Sequence, residues 1–422
     1  SLRDIYTRPP AEPTTAPSRS IAFVVGADGA IARYRVHHPA EAIARRAGHR
    51  PTIAHYLDPD LAELTSGVEV VVLQRVPATV QILELVDTLR ADGVLVLFDT
   101  DDLIVDPDLS TRIPAVAAMG PDEQAHYLEG VRRYRTTLEA CDGALVSTPT
   151  IAECIERLTG LPAVVVPNGL GLMELRLAER ARRERTRRQP DRVRIAYLSG
   201  SDSHQPDLDL ICGPLATILE RHPHVEFVVI GPVEPCRDLA RFGRRVSSIG
   251  FQDWQTLPAL LADIDINVAP LVLPSEFNEA KSAVKWLEAS AMGIPTVASA
   301  SAPFLDVIDG GVTGAACATS DEWVDALDRL VTDPVLRTRI GAAAQRRAEL
   351  HHGPHITAIA YEGALAALSE RRPISPRRSS WTPVAPDERA PSAPLLDPYD
   401  VDLSSVAVKV QLRRWVSRVL RR

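Results

Sequence analysis

The stretch PLVLPSEFNEAKSAVKWLEASAMGIPTVAS, residues 270–299, decides how this chain is read. An apolar run ends near Pro270, a polar loop follows, and a helix is predicted from about Ser282. Lys281 and Lys285 stand four apart at its start, which puts both ammonium groups on one side of the first turn. The free N–H groups and the positive end of a helix dipole face that same space. Together they make an anion site suited to a diphosphate at the open end of an α/β sheet. Glu288 lies two turns further in, and its carboxylate can accept from two vicinal hydroxyls such as those of a ribose. Gly293 and Pro295 then end the helix and lead into a buried strand.

Outward from this stretch, short apolar runs alternate with helical patterns. VRIAYLSGS, VEFVVIGP, RVSSIGF, DINVAPL, PTVAS and GAACA read as strands of one unit. Upstream, SIAFVVGA, EVVVLQRV, VLVLFDTDD, GALVSTPT and PAVVVPNG repeat the same grammar, with amphipathic stretches such as TVQILELVDTLRADG between them. Strands alternating with helices imply parallel sheets built from βαβ units. Two consecutive doubly wound domains are expected, because 422 residues exceed one ordinary core.

The divisions follow composition. Residues 1–19 form a flexible lead-in, 20–170 a first Rossmann-like domain, 171–190 an Arg-dense linker, and 191–350 the second domain. Residues 351–372 form a helix, 373–400 a Pro-rich linker, and 401–422 a basic amphipathic tail carrying Trp415. A tail of that kind suits peripheral contact with the inner face of a membrane. The start lacks both Met and a signal-peptide core and reads as a processed or excised piece.

Bulk composition narrows the classes. A charge of −8 and a pI near 5.8 weigh against a nucleic-acid binder. No apolar run is long enough for a spanning helix. Five scattered cysteines without metal-ligand spacing suit a reducing cytosol. Asp99-Thr100-Asp101-Asp102 at a strand end admits three readings: a divalent-metal site, an acceptor wall in which Asp101 or Asp102 orients a hydroxyl, or a helix cap. Arg33, Arg35 and Arg75 fall at strand ends facing the presumed cleft, as phosphate ligands or as ion pairs.

Phe277-Asn278-x-x-Lys281-Ser282-x-x-Lys285-x-x-Glu288, with the trailing Ala-Ser-Ala-Met-Gly-Ile-Pro, resembles the second domain of retaining GT-B glycosyltransferases. That large family includes sucrose synthases and mannosyl- and rhamnosyltransferases. Tyr197-Leu198-Ser199-Gly200-Ser201-x-Ser203-His204-x-x-Asp207 and Phe251-x-Asp253-Trp254-x-x-Leu257-Pro258 resemble its bacterial O-antigen and surface-polysaccharide branch. Val166-Pro167-Asn168-Gly169 is similar to the motif closing the first domain. The resemblance implies a GT-B fold of two facing Rossmann-like domains. It also implies a nucleotide-sugar donor, a glycan or lipid-linked glycan acceptor, no cofactor and no metal. Gly200, Ser201, Ser203, His204, Phe251, Asn278, Lys281, Ser282, Lys285 and Glu288 would hold the donor. Lys281, Lys285 and Asp101 would serve the reaction, in the cytoplasm.

Two departures qualify the resemblance. The family's second Glu, eight positions before the ribose Glu, is Ala280 here, and Glu276 and Glu279 are out of register. The Arg and Lys common after the first strand of the second domain are absent, leaving the lysine pair to neutralise the diphosphate. A catalytically silent sugar-nucleotide-binding module and a GT-B epimerase are the rival readings; for the second, no carboxylate–His cluster is visible.

Overall fold

The structure, a computed structural model, describes residues 19–46, 49–184 and 192–371. The first sheet contains β1 (Ser20–Val25), β2 (Arg50–His55), β3 (Val70–Gln74), β4 (Leu95–Thr100), β5 (Gly143–Val146) and β6 (Ala163–Val165). Its order is β2-β1-β3-β4-β5-β6. The second contains β7 (Val193–Leu198), β8 (Val225–Ile230), β9 (Val246–Ile249), β10 (Ile266–Ala269), β11 (Thr296–Ser299) and β12 (Ala315–Cys317). Its order, β12-β11-β10-β7-β8-β9, is that of a dinucleotide-binding sheet. Every pairing in both sheets is parallel.

Strands inside a parallel sheet are covered on both faces, which is why runs such as those of β1, β3 and β5 are apolar rather than alternating. The edge strand β2, which the sequence pattern did not mark, leaves Arg50, Thr52 and Ile53 exposed. The α-helices of seven or more described residues supply the cover. They are α1 (His38–Ala44), α2 (Val80–Ala91), α3 (Pro121–Ala140), α4 (Pro149–Thr159), α5 (Leu172–Glu184), α6 (Cys212–Arg221), α7 (Val284–Ala291), α8 (Ser320–Thr332), α9 (Pro334–His352) and α10 (Pro354–Glu370). Each sheet has an apolar cluster on either face. Local chemistry sets the helix starts: Thr79 and Thr148 accept from N–H groups of the first turns of α2 and α4, and Thr319 with Glu322 forms a capping box on α8. Trp286 on α7 is fully buried, its indole N–H donating to the Thr313 carbonyl at 3.0 Å. Burial of so large a ring is worth about 3 kcal/mol and fixes the roll of α7.

Both sheets have a switch point where strand order reverses, between β1 and β3 and between β7 and β10. The first is pinched there, and the second is pinched one strand away, between β7 and β8. At Gly26, after β1, an added Cβ would lie 2.3 Å from the Arg75 carbonyl oxygen. At Gly231, after β8 and with φ 133°, it would lie 2.0 Å from the Ser199 oxygen.

The domains meet beyond a simple hinge. Ala280 of the second domain is fully buried in the core of the first, beside Phe277. Thr148 Oγ1 donates to the Ala280 carbonyl at 2.8 Å, and Asn168 Nδ2 donates to Ser282 Oγ at 2.9 Å. α10 returns to the first domain, where Tyr361, Ala364, Leu365 and Leu368 pack with Ile21 and Phe23.

Several expectations change. The helix predicted from Ser282 starts at Val284, leaving Lys281 in the preceding loop. Much of the Arg-dense linker is the helix α5, and Arg182 donates to the carbonyl of Ala291 at the end of α7. The cysteines are not all unpaired: Cys212 and Cys236 form a disulfide, because the start of α6 lies beside the loop after β8. Cys141, Cys154 and Cys317 are free and buried. No described helix is long and apolar enough to cross a membrane. The lead-in, the Pro-rich linker and the basic tail lie outside the described residues, except for residue 19 of the lead-in.

Candidate functional site

The carboxyl ends of both sheets open onto one interdomain cavity of about 1850 Å³. This is where open α/β sheets take their ligands. Gly200, Ser201, Ser203 and His204 line it from the loop after β7, and Lys281, Ser282, Lys285 and Glu288 from the loop after β10 and from α7. Phe251 lines it from beyond β9 and is 63% exposed, a large apolar surface facing a void. Asp101 and Asp102 belong to the opposite wall. Asn278 is not among the lining residues; its side-chain amide donates to the Val272 carbonyl at 2.9 Å and shapes the loop instead.

The two lysines converge although only one is helical. Lys285 Nζ donates to Tyr197 Oη at 3.2 Å and stands 4.5 Å from the centre of that ring. Lys281 Nζ lies 3.3 Å from His204 Nδ1 and 5.1 Å from the Phe277 ring centre. Burial, then the neighbouring Lys281 charge, lowers the Lys285 ammonium to a pKa of about 8. Burial and the two lysines also hold His204 below its usual value, so the ring is neutral near pH 7. Asp207 underlies this group: Val272 N–H donates to it at 2.9 Å, and His204 Nδ1 lies 3.0 Å away. Although burial opposes it, the hydrogen bond from His204 and the lysine charges keep Asp207 below the usual carboxylate range. With Glu288 paired to Arg33, the two lysines have Asp207 as their remaining carboxylate, which leaves excess positive charge here, as a receptor for a diphosphate should have.

The acidic residues nearest the family's missing Glu are occupied elsewhere. Glu279 accepts from the Ala302 N–H at 2.7 Å, at the start of the short helix Ala302–Val307. Glu276 pairs with Arg157 at 3.2 Å across the domain boundary. With Ala280 buried, none of the three offers a carboxylate to the cavity.

The Asp-rich strand end resolves into ion pairs. Arg35 is fully buried and forks onto Asp99, with Nε to Oδ1 and Nη2 to Oδ2 both 2.8 Å. Its Nη1 donates to the Val166 carbonyl at 2.6 Å and to Asn168 Oδ1 at 3.0 Å. Arg75 donates to Asp101 at 2.6 Å and to Asp102 at 2.8 Å. Its φ of 47° is unusual for a residue with a side chain. Such a conformation costs of order 1–3 kcal/mol, and here it accompanies a guanidinium that orients two carboxylates on the cavity wall.

Arg33 crosses the cavity. Its Nη2 lies 2.5 Å from Glu288 Oε1, and its Nη1 lies 3.8 Å from Glu174 of α5. Tyr34 Oη donates to the same Glu288 oxygen at 3.1 Å. Sequence reasoning put Arg33 at the cleft but missed Tyr34 and Glu174. No pattern marks Glu174, which sits among the arginines of α5.

With this geometry in view, three comparisons bear on it. Residues 192–333 match the family described as Glycosyl transferases group 1. Phosphatidyl-myo-inositol mannosyltransferase of Propionibacterium freudenreichii subsp. shermanii is 29% identical over 175 residues, 41% of this chain and 42% of that protein. The curated relatives are matched over less than half of their own length. Among solved structures, sucrose-phosphate synthase from Thermosynechococcus elongatus aligns with a TM-score of 0.59 at 18% identity, covering 83% of this chain and 99% of that one. Anabaena Alr3699/HepE, solved with UDP and glucose, aligns with a TM-score of 0.56 at 13% identity, over 83% of this chain and all of that one. The chain thus has the GT-B fold of two facing Rossmann-like domains and is related, through its second domain, to glycosyl transferases of group 1.

Proposed function

We infer that the chain is a retaining glycosyltransferase working from a nucleoside-diphosphate sugar. The acceptor is a growing surface polysaccharide or a lipid-linked glycan. The observation carrying this reading is the convergence of Lys281 and Lys285 beside Glu288 at the switch point of the second sheet. Cleavage of the donor leaves a nucleoside diphosphate and an oxocarbenium-like sugar. The lysines neutralise the leaving charge in a site shielded from water. The departing phosphate oxygen takes the acceptor's proton on the same face, so no protein nucleophile is needed. Asp101, held by Arg75, orients the acceptor hydroxyl from the opposite wall. The relative's name, a phosphatidylinositol mannosyltransferase, supports a lipid-borne acceptor. The UDP in the Anabaena structure supports a nucleotide donor. The lack of a cavity carboxylate at Ala280 favours a donor with fewer hydroxyls to hold, a deoxysugar such as rhamnose.

One observation supports metal-independent chemistry: both oxygens of Asp99 accept from Arg35, and Asp101 accepts from Arg75. Turnover should therefore persist in excess chelator; loss restored by Mn²⁺ or Mg²⁺ would reject this point.

The direct test incubates the chain with UDP-, GDP- and dTDP-sugars and glycan acceptors, measures released nucleoside diphosphate, and assigns the product anomer by NMR. Glu288→Ala should abolish release while the protein stays folded. The missing sugar carboxylate also favours the silent-module reading. Saturable donor binding without turnover across the acceptor panel would establish it.

A further inference from the structure

Glu288, the residue assigned to the ribose, is already occupied. Its Oε1 meets Arg33 Nη2 at 2.5 Å and accepts from Tyr34 Oη at 3.1 Å, both from the first domain. Arg33 begins a five-residue π-helical segment, Arg33–His37, just beyond the switch point of the first sheet. Such segments are rare and cluster at functional sites. The guanidinium carbon lies 4.5 Å from the Tyr34 ring centre and 5.5 Å from that of Trp254, a second-domain residue lining the cavity. Arg33 is therefore held by two second-domain groups at once, with its charge largely removed from water.

A second acceptor waits beside the first. Glu174 is 4% exposed, and its Oε1 lies 3.8 Å from Arg33 Nη1 and 3.4 Å from Tyr34 Oη. Burial, only partly offset by Arg33 and reinforced by the Glu288 charge, raises Glu174 to a pKa of about 7. One guanidinium thus serves a buried carboxylate, Glu174, and a partly buried one, Glu288, and in this arrangement the tighter contact is to Glu288. A ribose that bonds Glu288 must displace Arg33, and the displaced side chain has Glu174 within reach.

We propose that Arg33 is an interdomain latch: it closes the unliganded cleft on Glu288 and passes to Glu174 when a nucleotide takes the ribose site. The proposal rests on the reading of Glu288 as the ribose carboxylate. Its signature is a pair of opposite effects. Arg33→Gln removes the charged partner of Glu288, leaving only the Tyr34 hydroxyl on it, and raises nucleotide affinity. Glu174→Gln removes the second acceptor, strands Arg33 on Glu288 and lowers affinity. A guanidinium that merely supported the fold, or that bound the nucleotide itself, would give weaker binding in the Arg33 variant.

The experiment is calorimetric titration of UDP and GDP into the full chain, Arg33→Gln, Arg33→Lys, Glu174→Gln and the double Gln variant, with thermal melts as the folding control. A latch populated in nine molecules of ten costs about tenfold in apparent affinity. Arg33→Gln should therefore bind about tenfold tighter. Arg33→Lys, which keeps the charge but loses the fork, should fall between it and the unaltered chain. Glu174→Gln should bind more weakly, and the double variant should track Arg33→Gln. X-ray scattering without nucleotide supplies an arm independent of ligand: Arg33→Gln should have a larger radius of gyration. Weaker or unchanged binding in folded Arg33→Gln, or unchanged scattering, overturns the latch. The ribose reading fails separately, if Glu288→Gln distinguishes UDP from 2′,3′-dideoxy-UDP as well as the unaltered chain does.

Discussion

Lys285→Ala is expected to weaken nucleoside-diphosphate binding by roughly 100-fold, in line with the loss of one charge-assisted donor in a water-poor site, while leaving nucleoside binding nearly unchanged. The contrast follows from position. Nζ sits beside Lys281 and Tyr197 near the base of α7, whereas Glu288 lies further along the same helix. Affinity should also depend on pH in a definite direction. With burial holding the ammonium at about 8, the free protein carries the charge at pH 7 and loses it as pH rises through that value. A bound diphosphate favours the charged form, so binding above that value must take up a proton. Affinity should then fall by up to about tenfold per pH unit until the bound-state pKa is reached. Titrations from pH 7 to 9.5 would show this, and proton uptake in buffers of different ionisation enthalpy would count it. Lys285→Arg keeps its charge throughout that range and should flatten the profile. A flat profile in the unaltered chain would remove Lys285 from the diphosphate site. Equal loss of nucleoside and diphosphate binding in Lys285→Ala would point to damaged folding instead.

What the sequence made legible and what it hid divide along physical lines. Eleven of the twelve strands are legible as short apolar runs, as strands buried on both faces must be. β2 is hidden because this edge strand, with Arg50, Thr52 and His55, is largely exposed and carries no such run. The residues proposed for the diphosphate and the ribose are legible because they cluster in one short loop–helix stretch, residues 281–288. Contacts between distant segments are hidden. Nothing local marks that Ala280 will be buried in the other domain's core, or that Tyr361 will come within 3.5 Å of Asp99. Glu174 and Arg182 lie in a stretch so rich in arginine that its composition reads as solvated, yet one is buried and the other reaches the end of α7. Helix onset is also hidden: Ser282 is a good cap by residue type, but its hydroxyl accepts from Asn168 of the first domain, and the helix starts two residues later.

Asp99→Ala is expected to destabilise the first domain by about 3–5 kcal/mol, the cost of removing one partner from a buried ion pair. The reason is what would remain. Arg35 is 1% exposed, and without Asp99 its guanidinium keeps only the Val166 carbonyl and Asn168 as acceptors. The cost arises from an uncompensated buried charge rather than from the attraction that is lost. Hence Asp99→Val combined with Arg35→Met, which removes both charges at nearly the same total volume, should recover much of the loss. Because α10 packs on the same core and Tyr361 Oη lies 3.5 Å from Asp99 Oδ2, protection of α10 amides should fall with that of β4. Hydrogen exchange is therefore a better measure than a single melting curve, which mixes two domains. The same variant bears on the metal. If Asp99 serves only Arg35 and Tyr361, any activity surviving in folded Asp99→Ala will not respond to Mn²⁺ or chelator, as in the unaltered chain. Unchanged stability together with abolished Mn²⁺-dependent turnover would instead return Asp99 to the role of metal ligand.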